Sequence, residues 1–189
     1  MAKLQSDDLI LDIKFSSFEN EWVNYEVKFY WKDDIIINDN ILKRDGEWWN
    51  KRNYGTFLAD DYQKDHLIYT IRKILETNKA DYWEPLEPDV KIAIYPDEFF
   101  PFLKSHWALI DPVCGEGQIA EEQYEKCRND LFTIMIFIDS YNFKDCTIYS
   151  GEGISLHMVV RREDLEKFVS DLEIEYNNLS NQVVENNKI

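Results

Sequence analysis

Between Val23 and Trp31 apolar and polar residues alternate more cleanly than anywhere else in the chain. Val23, Tyr25, Val27, Phe29 and Trp31 recur two apart with Asn24, Glu26 and Lys28 between them, so the apolar set shares one face of a strand. Leu9, Leu11, Ile13 and Phe15 alternate likewise with Ile10, Asp12, Lys14 and Ser16, which predicts a half-buried strand. Phe18-Glu19-Asn20-Glu21 is the expected turn between them, and antiparallel pairing follows. The β-branched run Ile35-Ile36-Ile37 predicts a third strand after Asp33-Asp34, and Ile41-Leu42, after Asn38-Asp39-Asn40, a bend or a fourth. From Asp60 the period becomes helical, with Leu67, Ile68, Ile71, Ile74 and Leu75 on one side and Gln63, Lys64, Arg72, Lys73 and Glu76 on the other. Asp60 or Asp61 is the expected cap. Asn78 and the loop from Tyr82 to Pro88 end the helix, because proline cannot continue it.

A second block repeats the order. Val90, Ile92 and Ile94 predict a strand, Pro96 and Pro101 bracket the loop Asp97-Glu98-Phe99-Phe100, and His106 to Ile110 reads as a further short strand. Gln118 to Arg128 reads as a helix or an ordered excursion. Phe132, Ile134, Ile136 and Ile138 alternate with Thr133, Met135 and Phe137; both faces are apolar, which places this strand centrally in its sheet. The stretch CTIYSGEGISLHMVVRREDLEKFVSDLEIEYNNL, from Cys146 to Leu179, then predicts a strand, a turn at Ser150-Gly151-Glu152-Gly153, a second strand and a helix. Ile154, Leu156, Met158 and Val160 share one strand face, with His157 half-buried on the other. Leu165, Phe168, Val169, Leu172, Tyr176 and Leu179 form a helix stripe. Glu163 and Asp164 suit the first turn of that helix; Arg161 and Arg162 sit at the end where cations are disfavoured, which leaves open whether they pair with acids elsewhere.

The order predicts an α+β fold, mainly antiparallel sheet with two principal helices packed on it, as β-meander then helix, twice. Residues 1–179 are expected as a single domain and 180–189 as a frayed polar tail. Two adjacent small sheets are the alternative to one large one.

Composition narrows the class. A chain of 189 residues can bury roughly 70% of its unfolded surface and fold without staples. With 44% hydrophobic residues it lies far from the apolar poverty of disordered segments. The longest apolar runs fall short of the roughly 18 residues of a membrane span, and MAKLQSDDL lacks a secretory apolar core, so a cytoplasmic location is expected. Cys114, Cys127 and Cys146 are odd in number and lack CxxC spacing, which argues against a zinc cage and a disulfide framework. The outlier is charge: 21 basic against 37 acidic residues give −16, a field that repels nucleic acid and anionic lipid and attracts basic partners.

Chemistry-bearing motifs are sparse. Gly115-Glu116-Gly117 and Gly151-Glu152-Gly153 match no phosphate-binding loop, and an acid in the middle of each would repel a phosphate. His66, His106 and His157 have no metal-ligand spacing, and the acid pairs Asp33-Asp34, Asp60-Asp61, Asp97-Glu98 and Glu121-Glu122 do not form a calcium loop. No cofactor and no metal site are expected. His106 with Cys114 is a base and nucleophile on paper only. What remains is a set of loop aromatics beside acids: Trp48 and Trp49 near Glu47; Trp83 and Tyr82 near Glu84 and Glu87; and Phe99 and Phe100 near Asp97 and Glu98. Apolar anchors ringed by charge build interface hot spots, and Trp48, Trp49, Trp83, Glu84, Glu87, Asp97, Glu98 and Phe99 are the candidate partner-binding residues. The plainer alternative is that these rings cover sheet edges and the ends of the helix.

The IMIFIDSYNF strand and the segment ISLHMVVRREDLEKFVSDLEIEY resemble the closing strand and helix of small acidic bacterial immunity proteins, in particular the family paired with wall-associated toxin proteins. The resemblance covers the last third of the chain. It implies a cytoplasmic, non-catalytic protein that blocks a toxic, often nuclease, domain, and it carries no site residue across. Three functions follow in order: an inhibitor of a basic toxin, a small enzyme with a carboxylate or Cys-His site in a cleft, and an acidic DNA mimic or assembly subunit.

Overall fold

Two antiparallel meanders, each followed by a helix, make up the fold. The computed structural model describes residues 2–19, 22–37, 57–58, 66–84, 90–96, 130–139 and 153–186. The first sheet runs in the order β1 (Ala2–Ser6), β2 (Leu9–Glu19), β3 (Trp22–Trp31), β4 (Asp34–Ile37), with β5 (Phe57–Leu58) also paired to β3. Helix α1 (Leu67–Thr77) follows. The second sheet is β6 (Asp81–Trp83), β7 (Val90–Pro96), β8 (Leu131–Asp139), β9 (Gly153–Arg161), and α2 (Arg162–Asn186) closes the described chain. The α+β class and the doubled meander-and-helix order hold, in the two-sheet form.

Alternation is what builds the first sheet. Leu11, Ile13, Phe15, Val23, Tyr25, Val27 and Phe29 are all buried on the face that the period predicts. Strand β1 adds Ala2 and Leu4 to that face, pairing Leu4 with Leu11. Asp12 faces the other way, flanked in register by Lys3 and Lys28, with its Oδ2 3.7 Å from Lys3 Nζ. The β2–β3 pairing persists to Glu19 and Trp22, so Phe18 and Glu19 belong to the ladder rather than to the turn. In the second sheet β8 lies between β7 and β9, as its two apolar faces require.

The helices lock the two meanders together. Leu165, Phe168, Val169 and Leu172 of α2 are buried, worth about 1.5–3 kcal/mol each before chain entropy. The helix packs across β1 and β2 of the first sheet as well as against β9 and α1. Near the irregularity between Phe15 and Ser17 in β2, the Phe15 N–H donates to Glu175 Oε2 at 3.2 Å, and the Phe15 and Tyr176 rings meet edge-on at 6.5 Å. Tyr25 of β3 and Trp83 of β6 contact each other across the sheets at 5.7 Å. Their side chains belong to one hydrophobic core.

Local chemistry sets the ends of α1. His66, not an aspartate, is the N-cap: its Nδ1 accepts from the Ile68 N–H at 3.2 Å. Asp60 and Asp61 lie outside the described residues. Asn78 closes the helix in the left-handed region, φ 51°, with its N–H donating to the Ile74 carbonyl at 2.8 Å. Helix α2 runs on through Ser180 to Asn186, where a polar tail is expected from the sequence. Ile41-Leu42 and the elements expected at 106–110, 118–128 and 146–149 lie outside the described residues.

Candidate interaction surface

Of the expected partner-binding residues, the structure describes Trp83 and Glu84. Trp83 is corrected: at 2% exposure its ring cannot anchor a partner. The reason is register. Residues 81–83 form a strand rather than a loop, pairing with β7, and alternation turns Trp83, opposite Ile92, into the core against Tyr25. The neighbouring Tyr82, opposite Ala93, takes the outer face and is 62% exposed. Glu84 is exposed and pairs with Lys91 at 2.7 Å, so its charge is already met. Trp48, Trp49, Glu87, Asp97, Glu98 and Phe99 lie outside the described residues, as do Phe100, His106 and the cysteines.

A different end of the molecule brings rings and acids together. The β1–β2 and β3–β4 turns of the first sheet lie side by side, joined by a hydrogen bond of 2.6 Å from the Lys32 N–H to the Asp8 carbonyl. They carry Asp7, Asp8 and Asp33, and Asp34 opens β4 opposite Trp31; all four are exposed. Asp7 and Lys32 hold φ of 48° and 56°, a conformation that favours glycine. Trp31, last in the alternating row of β3, emerges there at 51% exposure; Ile35 of β4, paired with Tyr30, is 42% exposed on the opposite face. Lys32 reaches Asp8 at 3.7 Å; Asp7, Asp33 and Asp34 form no ion pair with any described residue. Alternation places Trp31 on the same strand face as Val23 to Phe29 and says nothing of its cover. The missed signal was its position: it is the final residue before a turn, where an alternating row runs out of cover.

Elsewhere the charged groups serve the fold. Arg72 of α1 donates through Nε and Nη2 to the two carboxylate oxygens of Glu173 at 2.8 and 2.6 Å, and through Nη2 to Ser170 Oγ at 3.1 Å. That hydrogen bonding holds the Glu173 carboxyl below the ordinary carboxylate range. Lys73, bonded at 2.6 Å, does the same for Asp81. Burial lowers His66 to about 4, keeping the imidazole neutral so that Nδ1 can serve as the cap. His157 is exposed rather than half-buried. Among the described residues no three His, Cys, Asp or Glu side chains gather as a metal site, and no helix is long and apolar enough to cross a membrane.

No family model matches the chain, and neither does any curated protein or solved structure.

Proposed function

We propose that this chain is a non-catalytic acidic protein of the bacterial cytoplasm that binds a basic toxin, a nuclease domain by preference, and inhibits it by occluding its active surface. The observation that carries the reading is the charge: 37 acidic against 21 basic residues leave −16 on a folded α+β scaffold. A nuclease surface that grips phosphate is basic. A protein of opposite sign is steered to it and competes with the substrate for the same field. The likeness of the last third of the chain to immunity proteins paired with wall-associated toxin proteins supports the same role.

The test is inhibition. Equimolar addition of the purified protein to a basic nuclease toxin encoded beside it should abolish nucleic-acid cleavage at about 50 mM salt, with protection weakening as the charges are screened. Full cleavage in the presence of excess protein at low salt overturns the reading.

A further inference from the structure

We propose that the paired-turn end of the first sheet is the docking surface for an arginine-bearing segment of the basic partner, with Trp31 as its anchor. The inference rests on the function proposed above and localises it.

Two observations meet there. The first is apolar. Along β3 every core-facing residue from Val23 to Phe29 is buried, yet Trp31 continues that face into solvent at 51% exposure. Asp34 is the cross-strand partner of Trp31 and shares its face, whereas Ile35, paired with Tyr30, lies on the other face, so Trp31 alone supplies the apolar element. An indole presented this way is a common hot-spot element, and few other large apolar side chains among the described residues are as open.

The second is charge complementarity. Asp7, Asp8 and Asp33 project from two turns that are hydrogen-bonded to each other, and Asp34 opens the adjoining strand opposite Trp31, against one ammonium, Lys32, already turned to Asp8. Three of the four carboxylates have no ion-pair partner among the described residues. A guanidinium fits both features at once, because its planar face stacks on an indole while its edge donates two parallel bonds to a carboxylate. An ammonium makes neither contact as well, so arginine rather than lysine is the expected partner side chain. The exposed acids of α2, Glu163 and Glu166, lack such a ring: Glu163 pairs with Arg161 at 3.7 Å, and Lys167 lies next to Glu166 in sequence.

The probe is an octa-arginine peptide titrated into isotopically labelled full-length protein at about 50 mM salt and followed by amide and indole resonances, with octa-lysine as comparison. The expected result is a shift of the Trp31 indole and of the amides of Asp7, Asp8 and Asp33, larger for arginine than for lysine. Asp33→Asn with Asp34→Asn should weaken arginine-peptide binding about tenfold, while Glu163→Gln with Glu166→Gln changes it less than about twofold. Trp31→Ala should remove the preference for arginine. Peptide binding that shifts α2 instead, and is weakened by the α2 variant, overturns this inference while leaving an acidic binding protein intact. Absence of binding to either peptide overturns both.

Discussion

Replacing Arg162 with methionine should destabilise the protein, although the residue stands at a helix end where a cation is out of place. It is the first residue of α2, but its guanidinium serves a different helix. Nη1 donates to the Leu75 carbonyl at 2.9 Å and Nη2 to Asn78 Oδ1 at 3.2 Å, both at the C-terminus of α1, where positive charge is favoured. The same group lies over the Phe132 ring at 5.0 Å, and the Arg162 N–H donates to the Asp130 carbonyl at 2.6 Å. One residue thereby joins the end of α1, the entry to β8 and the start of α2. Methionine keeps the backbone bond and most of the side-chain volume. It removes two hydrogen bonds from a charged donor, about 1.5–3 kcal/mol for the stronger, and a cation–π contact worth about 0.5–1 kcal/mol. The expected loss is about 2–4 kcal/mol, which for a chain of this length lowers the melting temperature by about 4–16 °C. Thermal unfolding followed by far-UV circular dichroism, with chemical denaturation for the free energy, measures it directly. Arg162→Lys should fall between the two, since an ammonium cannot span both acceptors. An Arg162→Met protein within about 0.5 kcal/mol of the parent refutes the bridging role.

Other residues give separate expectations. His66 has its folded value lowered to about 4 against an ordinary 6.5, so the neutral ring is the folded form: its contribution is complete above about pH 6.5 and is lost as pH falls toward 4, roughly 3 kcal/mol in all. Denaturation across that window should show the slope, and His66→Asn, which caps without titrating there, should flatten it. Phe168→Ala should cost about 3–5 kcal/mol by chemical denaturation, because the ring is fully enclosed between α2 and the sheets. Lys32→Gly, at φ 56°, should raise stability by about 0.5–1 kcal/mol; a loss of similar size would show that the turn adopts another conformation.

Much of the fold was legible in the chain because period survives folding. The row from Val23 to Phe29, the β8 strand with two apolar faces and the stripe from Leu165 to Leu172 each appear where alternation or the helical period put them. Short elements were not. Strand β1 offers only Ala2 and Leu4 as apolar positions, and β6 is three residues long, so both depend on neighbouring strands that supply their hydrogen bonds. The cap at His66 was hidden because histidine is not a common N-cap residue, and the burial that holds its ring neutral to lower pH is a property of the folded core. The candidate surface shows the same limit. A tryptophan at a strand end reads alike whether covered or open: Trp83, expected as an exposed anchor, is buried, while Trp31 is half exposed. Arg162 shows it for charge: its partner at Leu75 is 87 residues away.

Calorimetric titration of the protein with a basic nuclease toxin encoded beside it, at about 50 mM and about 500 mM salt, addresses the proposed function most directly. The account predicts an equimolar complex whose affinity falls steeply with salt. Absence of binding at the lower salt contradicts it.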